Sequence, residues 1–237
     1  MSKMGLIRRL MIIGIAFTLL GGFHSGVVSV EASTENSAGK SAAAPIFKDV
    51  PKNYWASDAI IWGYNKGLLG GYSDGTFRPN KPLTEAEFAS IIHKVYKDSM
   101  AEVDYRYEIY GGHWANGAYE SLATYGVPLD GYLNLFVRDM TVNRGKIAQV
   151  IAFLRGQGSE LDSSVDWMFE TGLTSGKKAT GSKLERYGSE DSLTRAEMVV
   201  FVQRLTSKGY GKIDGITPLP LEEVARITKA TRSSLGF

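Results

Sequence analysis

The 237-residue chain has no cysteine, which excludes disulfides, thiolate metal sites and a cysteine nucleophile. Histidine is almost as scarce. One of the three, His24, falls in an N-terminal leader, and His93 and His113 stand in no metal-ligand spacing, so both are expected to be structural or surface residues. No metal or other cofactor is expected. Long apolar runs are missing beyond the start of the chain. There, Lys3, Arg8 and Arg9 precede an apolar stretch from Leu10 to Leu20, and Val30-Glu31-Ala32 forms a small-residue cleavage site, so residues 1–32 read as a secretory signal. Gly14, Gly21 and Gly22 break that stretch well short of a spanning helix, and no membrane span is expected after cleavage. Excess charge is lacking too. Of 27 Lys+Arg and 25 Asp+Glu, Lys3, Arg8, Arg9 and Glu31 lie in the signal, leaving 24 of each sign. A neutral chain offers no basic face to a nucleic acid, so any anionic partner must be held by placed groups.

What is present is a helix-start signal. Thr194 is followed three residues later by Glu197 and then by the apolar run Met198-Val199-Val200-Phe201-Val202, a capping box with Arg195 at the first helical position. Unpaired N–H groups at a helix N-terminus, together with a guanidinium fork, suit a carboxylate or phosphate. The alternative is that Arg195 pairs internally with Glu197 or Glu190.

The corner recurs. Residues 33–45 are small and polar, a flexible leader. An extended Phe47-Lys48-Asp49-Val50 comes next, then a helical run from Trp55 to Trp62 that stops at Gly67, and then a loop from Gly70 to Pro79 turned by Asp74-Gly75. A second helix starts at Thr84, with Glu87 closing the box. Trp114-Ala115-x-x-Ala118 and Gly126 repeat Trp55-Ala56-x-x-Ala59 and Gly67 at an offset of 59 residues, as do Phe136 after Phe77 and Ile147 after Phe88. Trp167 and Gly172 begin a third copy, whose loop is five residues longer. The segments are 46–105, 106–157 and 158–207, followed by a tail, 208–237, with one short helix from Leu221 to about Thr231.

Phe47-x-Asp49-Val50, Trp55-Ala56, Gly71-Tyr72-x-Asp74-Gly75-Thr76-Phe77-x-Pro79 and Leu193-Thr194-Arg195-Ala196-Glu197 resemble the motifs of the S-layer homology domain. The resemblance implies an all-α fold in which three helix–loop–helix repeats form a pseudo-threefold spindle around a central helical bundle. It further implies an exported bacterial protein, without enzymatic activity, anchored non-covalently to the cell wall through secondary cell-wall polysaccharide, commonly with a pyruvylated terminal sugar. Other surface-layer proteins are further expected partners. The rival reading is a structural or protein-interaction module of the envelope whose degenerate repeats no longer bind glycan.

Candidate ligand residues follow. Arg195 and Thr194 form the third corner, and Asn143, Arg144 and Lys146 the second. Lys146 is unfavourable beside a positive helix end, which leaves either a bound anion or a solvated side chain to relieve it. Thr84-Glu85-Ala86-Glu87 makes the first corner hostile to an anion, with Arg78 as a substitute cation or a partner for Glu85. Trp55 and Trp114 are candidate walls for the apolar face of a sugar, or else core residues. Asp74 and Gly75 form a turn in which Asp74 could accept a sugar hydroxyl. Glu160 replaces the tryptophan in the third segment. Glu85/Glu87 and Glu222/Glu223 point apart on their helices and make no acid–base pair, and no nucleophile, phosphate-loop or zinc motif occurs. The chain reads as an anchoring module without room for a catalytic domain.

Overall fold

The computed structural model describes residues 46–101 and 112–234, with side chains to 228. The expected signal (1–32), the leader (33–45), the start of the second segment and the last residues of the tail lie outside it.

Among the described residues all regular structure is helical, as expected: α1 Ser57–Asn65, α2 Glu85–Tyr96, α3 Asn116–Ala123, α4 Leu135–Arg138, α5 Arg144–Leu154, α6 Leu161–Glu170, α7 Lys183–Tyr187, α8 Arg195–Ser207 and α9 Leu221–Ser234, with a 3-10 turn at Lys97–Ser99. None of these helices is long and apolar enough to cross a membrane. Both expected capping boxes form, Thr84 with Glu87 and Thr194 with Glu197. Asn143 caps α5 through the Lys146 N–H at 2.8 Å. Left-handed glycines end the first helix of each segment: Gly67, Gly126 and Gly172 have φ of 67°, 67° and 65°.

Helix packing runs in a cycle. α3 packs on α2, α6 on α5, and α1 on α8, so each segment's first helix rests on the second helix of the segment before it, the last closing on the first. The α1–α8 contact is close because a side chain at Gly63 would meet Val199 Cγ1 at 2.8 Å. Leu83, Val142 and Leu193, each just ahead of a cap, are buried where the three corners meet, among a core that includes Phe77, Phe88, Ile92, Leu122, Ile151 and Val202. Val224 of α9 is buried against it, and α9 contacts α3.

Two features were not anticipated. The longer third loop holds α7, started by its own Ser182–Glu185 capping box and ended by Gly188 in the left-handed region. In the second segment the equivalent loop winds into the one-turn α4, which leaves Phe136 and Met140 exposed at 84% and 61%.

Candidate functional site

The three corners donate to one another. Glu85 N–H reaches Met140 O at 3.0 Å, Arg144 and Gly145 N–H reach Asp191 O and Ser189 O at 2.8 Å each, and Arg195 and Ala196 N–H reach Lys81 O and Pro79 O at 3.0 Å each. At α5 and α8 the next two N–H groups go to the cap side chain and the cap carbonyl. Every early N–H of these two helices is therefore bonded within the protein. This corrects the expectation that the helix ends stand open to an anion: a neighbouring loop's carbonyls already fill them.

The first helical residues divide three ways. Arg195 is buried, and each of its nitrogens is engaged: Nε donates to Phe77 O at 2.9 Å, Nη2 to Gly70 O at 2.7 Å and Nη1 to Glu87 Oε1 at 3.1 Å. Its ion-pair partner is Glu87 of the first segment, which also accepts from Lys81 Nζ at 3.2 Å, rather than Glu197 or Glu190. Thr194 is spent as the cap.

Glu85 points the other way in charge. Its carboxylate, 3% exposed, accepts the Gly131 N–H at 2.6 Å, the Asp130 N–H at 3.1 Å and the Tyr119 hydroxyl at 2.8 Å. Burial raises its pKa and these three donors oppose the rise, while burial and the carboxylate together push the Tyr119 hydroxyl up. Below it the buried Arg138 donates through Nε to Gly131 O at 2.7 Å and through Nη1 to Asn116 Oδ1 at 2.6 Å.

Arg144 alone of the three keeps donors in hand. Its Nε donates to Tyr187 O at 3.0 Å and its guanidinium lies 4.8 Å from the Tyr187 ring centre, whose hydroxyl returns a bond to Arg144 O at 3.1 Å. Burial lifts the Tyr187 hydroxyl to about 12. Arg144 Nη1 and Nη2 have no hydrogen-bond or ion-pair partner among the described residues, and the side chain is half-buried. It lines a groove of about 180 Å³ with Trp55, Tyr187, Glu197, Phe201 and Arg204. Arg204 is oriented by its bond to Leu173 O at 2.9 Å, and Glu197 spends Oε2 on the Thr194 N–H at 2.8 Å. A cationic fork, a carboxylate and an indole face thus meet in one depression.

The remaining candidates are placed as follows. Trp55 and Trp114 are each 63% exposed, so the alternative that they are core residues fails. Trp55 lines the Arg144 groove, and Trp114 carries His113 stacked at 5.6 Å. His113 Nδ1 accepts the Ala115 N–H, and half-buried His93 has its pKa lowered by burial. Lys146 resolves its repulsion by pairing with Asp130 at 2.8 Å, neither solvated nor waiting for an anion.

Asp74 holds its own turn, Oδ1 accepting Thr76 N–H and Oγ1 and Oδ2 accepting Arg78 Nη2 at 3.0 Å. Those bonds lower its pKa from 3.8 to about 2. Arg78 therefore pairs with Asp74 and neither replaces the missing corner arginine nor reaches Glu85; it also lies 3.8 Å over the Tyr72 ring. Gly75 supplies the turn's positive φ of 81°. Asp49 was legible only as a motif letter. In the structure its two oxygens accept the Phe77 and Arg78 N–H groups at 2.7 Å each, fixing the loop that receives Arg195.

Residues 46–89, spanning α1, that loop and the start of α2, match the model of the S-layer homology domain. This stretch is an S-layer homology domain. The chain is 38% identical over 103 residues to a cellulosome-anchoring protein of Acetivibrio thermocellus, covering 41% of this chain and 23% of that protein. Over 109 residues it is 33% identical to cell surface glycoprotein 1 of the same organism, covering 41% of this chain and 5% of the relative. Similarity to the S-layer protein EA1 of Bacillus anthracis is lower, 26% over 243 residues, but extends across 94% of this chain and 26% of that protein. The chain thus spans about a quarter or less of the length of these relatives. The S-layer homology domain contributes Trp55 to the groove, Glu87 to Arg195 and Glu85 to the loop at Asp130-Gly131.

Proposed function

We propose that this is a non-catalytic protein of the bacterial cell surface, exported through residues 1–32 and held on the wall by non-covalent binding of secondary cell-wall polysaccharide. Segments 46–105, 106–157 and 158–207 act together as three S-layer homology repeats. The observation that carries the reading is the groove at Arg144, where an unspent guanidinium fork stands with exposed Trp55. A pyruvyl ketal adds a carboxylate to a sugar ring, which the fork would take in paired hydrogen bonds while the indole covers the ring's C–H face. Glu197 and Arg204 supply an acceptor and a donor for the sugar's hydroxyls. The relatives, a cellulosome-anchoring protein and an S-layer protein among them, support a place on the cell surface.

The test is co-sedimentation of the whole chain with purified wall sacculi, before and after hydrofluoric-acid removal of the secondary polymer, alongside Arg144→Ala. Binding that vanishes on stripping and weakens in the variant supports the reading. A folded protein that stays in the supernatant with intact walls overturns it.

A further inference from the structure

We infer that the start of α2 carries internal counter-ligands: Glu85 and Glu87 fill two of the three corners from within, leaving the Arg144 groove as the single place among the described residues where an acidic sugar is held. The inference rests on the glycan-binding reading for the second corner but not for the other two.

Glu85, Arg144 and Arg195 each open a helix and each reach into the loop region of the segment that follows in the cycle. At Asp130-Gly131 the receiving groups are two backbone N–H donors and the Tyr119 hydroxyl, a receptor shaped for a carboxylate, and Glu85 occupies it. At Gly70 and Phe77 the receiving groups are carbonyls, and they hold Arg195. The guanidinium nitrogen left over, Nη1, is where a ligand's carboxylate would dock, and Glu87 Oε1 is already there, with Lys81 as second cation.

The second corner, at Arg144, shows what happens without such a residue. Glu197 is the counterpart of Glu87, three residues into its helix and closing the same kind of capping box, yet it forms no ion pair with Arg144. α2 therefore silences two corners with two side chains, and α8 silences none.

Two measurements test this. Calorimetric titration of the whole chain uses a methyl hexoside bearing a 4,6-pyruvyl ketal, with the unketalised hexoside as control. The expected stoichiometry is one, lost in Arg144→Ala and still one in Arg195→Lys, which keeps a cation in the buried position. A stoichiometry of two that falls to one in Arg195→Lys overturns the inference while leaving the wall-binding reading intact. The second measurement needs no glycan: Glu85→Ala is melted in sodium acetate and in sodium chloride of equal ionic strength. Acetate raising the midpoint, or restoring helical signal if the variant is unfolded without it, identifies a carboxylate receptor occupied in cis. Equal curves in the two salts overturn the assignment of Glu85, and absence of any heat with the ketal alongside acetate rescue would count against the wall-binding reading alone.

Discussion

Glu85 and Arg195 hold the same place at the start of a helix and bury opposite charges in the loop they enter, the carboxylate facing the N–H groups of Asp130 and Gly131, the guanidinium facing the carbonyls of Gly70 and Phe77. Each loop has turned its peptide groups to suit the charge it receives. Glu85→Arg, the change that would make the first corner resemble the other two, should therefore fail. A buried cation against N–H donors lacks a partner, and a loss of roughly 3–5 kcal/mol is expected in urea unfolding. A variant as stable as the parent would mean that the loop can flip its peptides cheaply.

Gly131→Ala tests the same junction sterically. A Cβ there would meet the Tyr119 hydroxyl at 2.6 Å, Arg138 Cγ at 2.7 Å and Glu85 Oε1 at 2.7 Å. All three are held by other bonds, so overpacking of about 1–3 kcal/mol should appear as a lowered thermal midpoint. Glu85→Ala in the same chain removes one of the three atoms and should recover part of that loss.

Trp55 and Trp114 are equally exposed, so alanine at either should change stability by less than about 1 kcal/mol. Their effects on wall binding should differ. Trp55→Ala removes a wall of the Arg144 groove and should weaken binding roughly tenfold, whereas Trp114→Ala, which does not line that groove, should leave sedimentation with sacculi unchanged.

Asp74 makes the first loop sensitive to acid. Its carboxyl is held at about 2 against an ordinary 3.8, first by the Thr76 hydroxyl and N–H and then by Arg78. A depressed acid contributes stability that is complete above the unfolded value and is lost as pH falls through the folded one, so the window runs from about pH 4 to pH 2. Asp74→Asn should flatten the loop's response there, read from the amide signal of Thr76, while the unaltered protein shows a transition. Burial raises Glu85, which acts in the opposite sense, its proton being retained to higher pH in the folded chain than in the unfolded one. Asp74→Asn and Glu85→Ala should therefore move the acid limb of the stability curve in opposite directions.

Much of this fold could be read from spacing. Capping boxes at Thr84 and Thr194, stops at Gly67, Gly126 and Gly172 and the helix from Leu221 are local patterns, set by backbone groups a few residues apart. Which corner keeps guanidinium donors unspent was not legible, since Arg195 and Arg144 both stood as candidates. Arg195 and Arg144 occupy the same position, directly after the cap. What separates them is Glu87, 108 residues from Arg195, and nothing near Arg195 in the chain announces that partner. Lys146 misled for a similar reason: its counter-charge, Asp130, comes from the loop ahead of it rather than from the cap. The exposure of the two tryptophans also depended on the fold, since Trp55 and Trp114 each lie ahead of their helix rather than on its core-facing stripe.

The closing of the cycle by α8 has a consequence for the order in which the molecule can be made. The bonds from Arg195 to Phe77 and Gly70 span 118 and 125 residues, and the first loop has its guanidinium only once they form. Contacts so distant in sequence are slow to find each other, because the chain entropy of a large ring is lost before any bond repays it. A nascent chain emerging from its amino end carries the first loop and α1 unclosed until α8 follows. The α1–α8 closure therefore comes last of the three helix pairings, since α2–α3 and α5–α6 join segments adjacent in the chain.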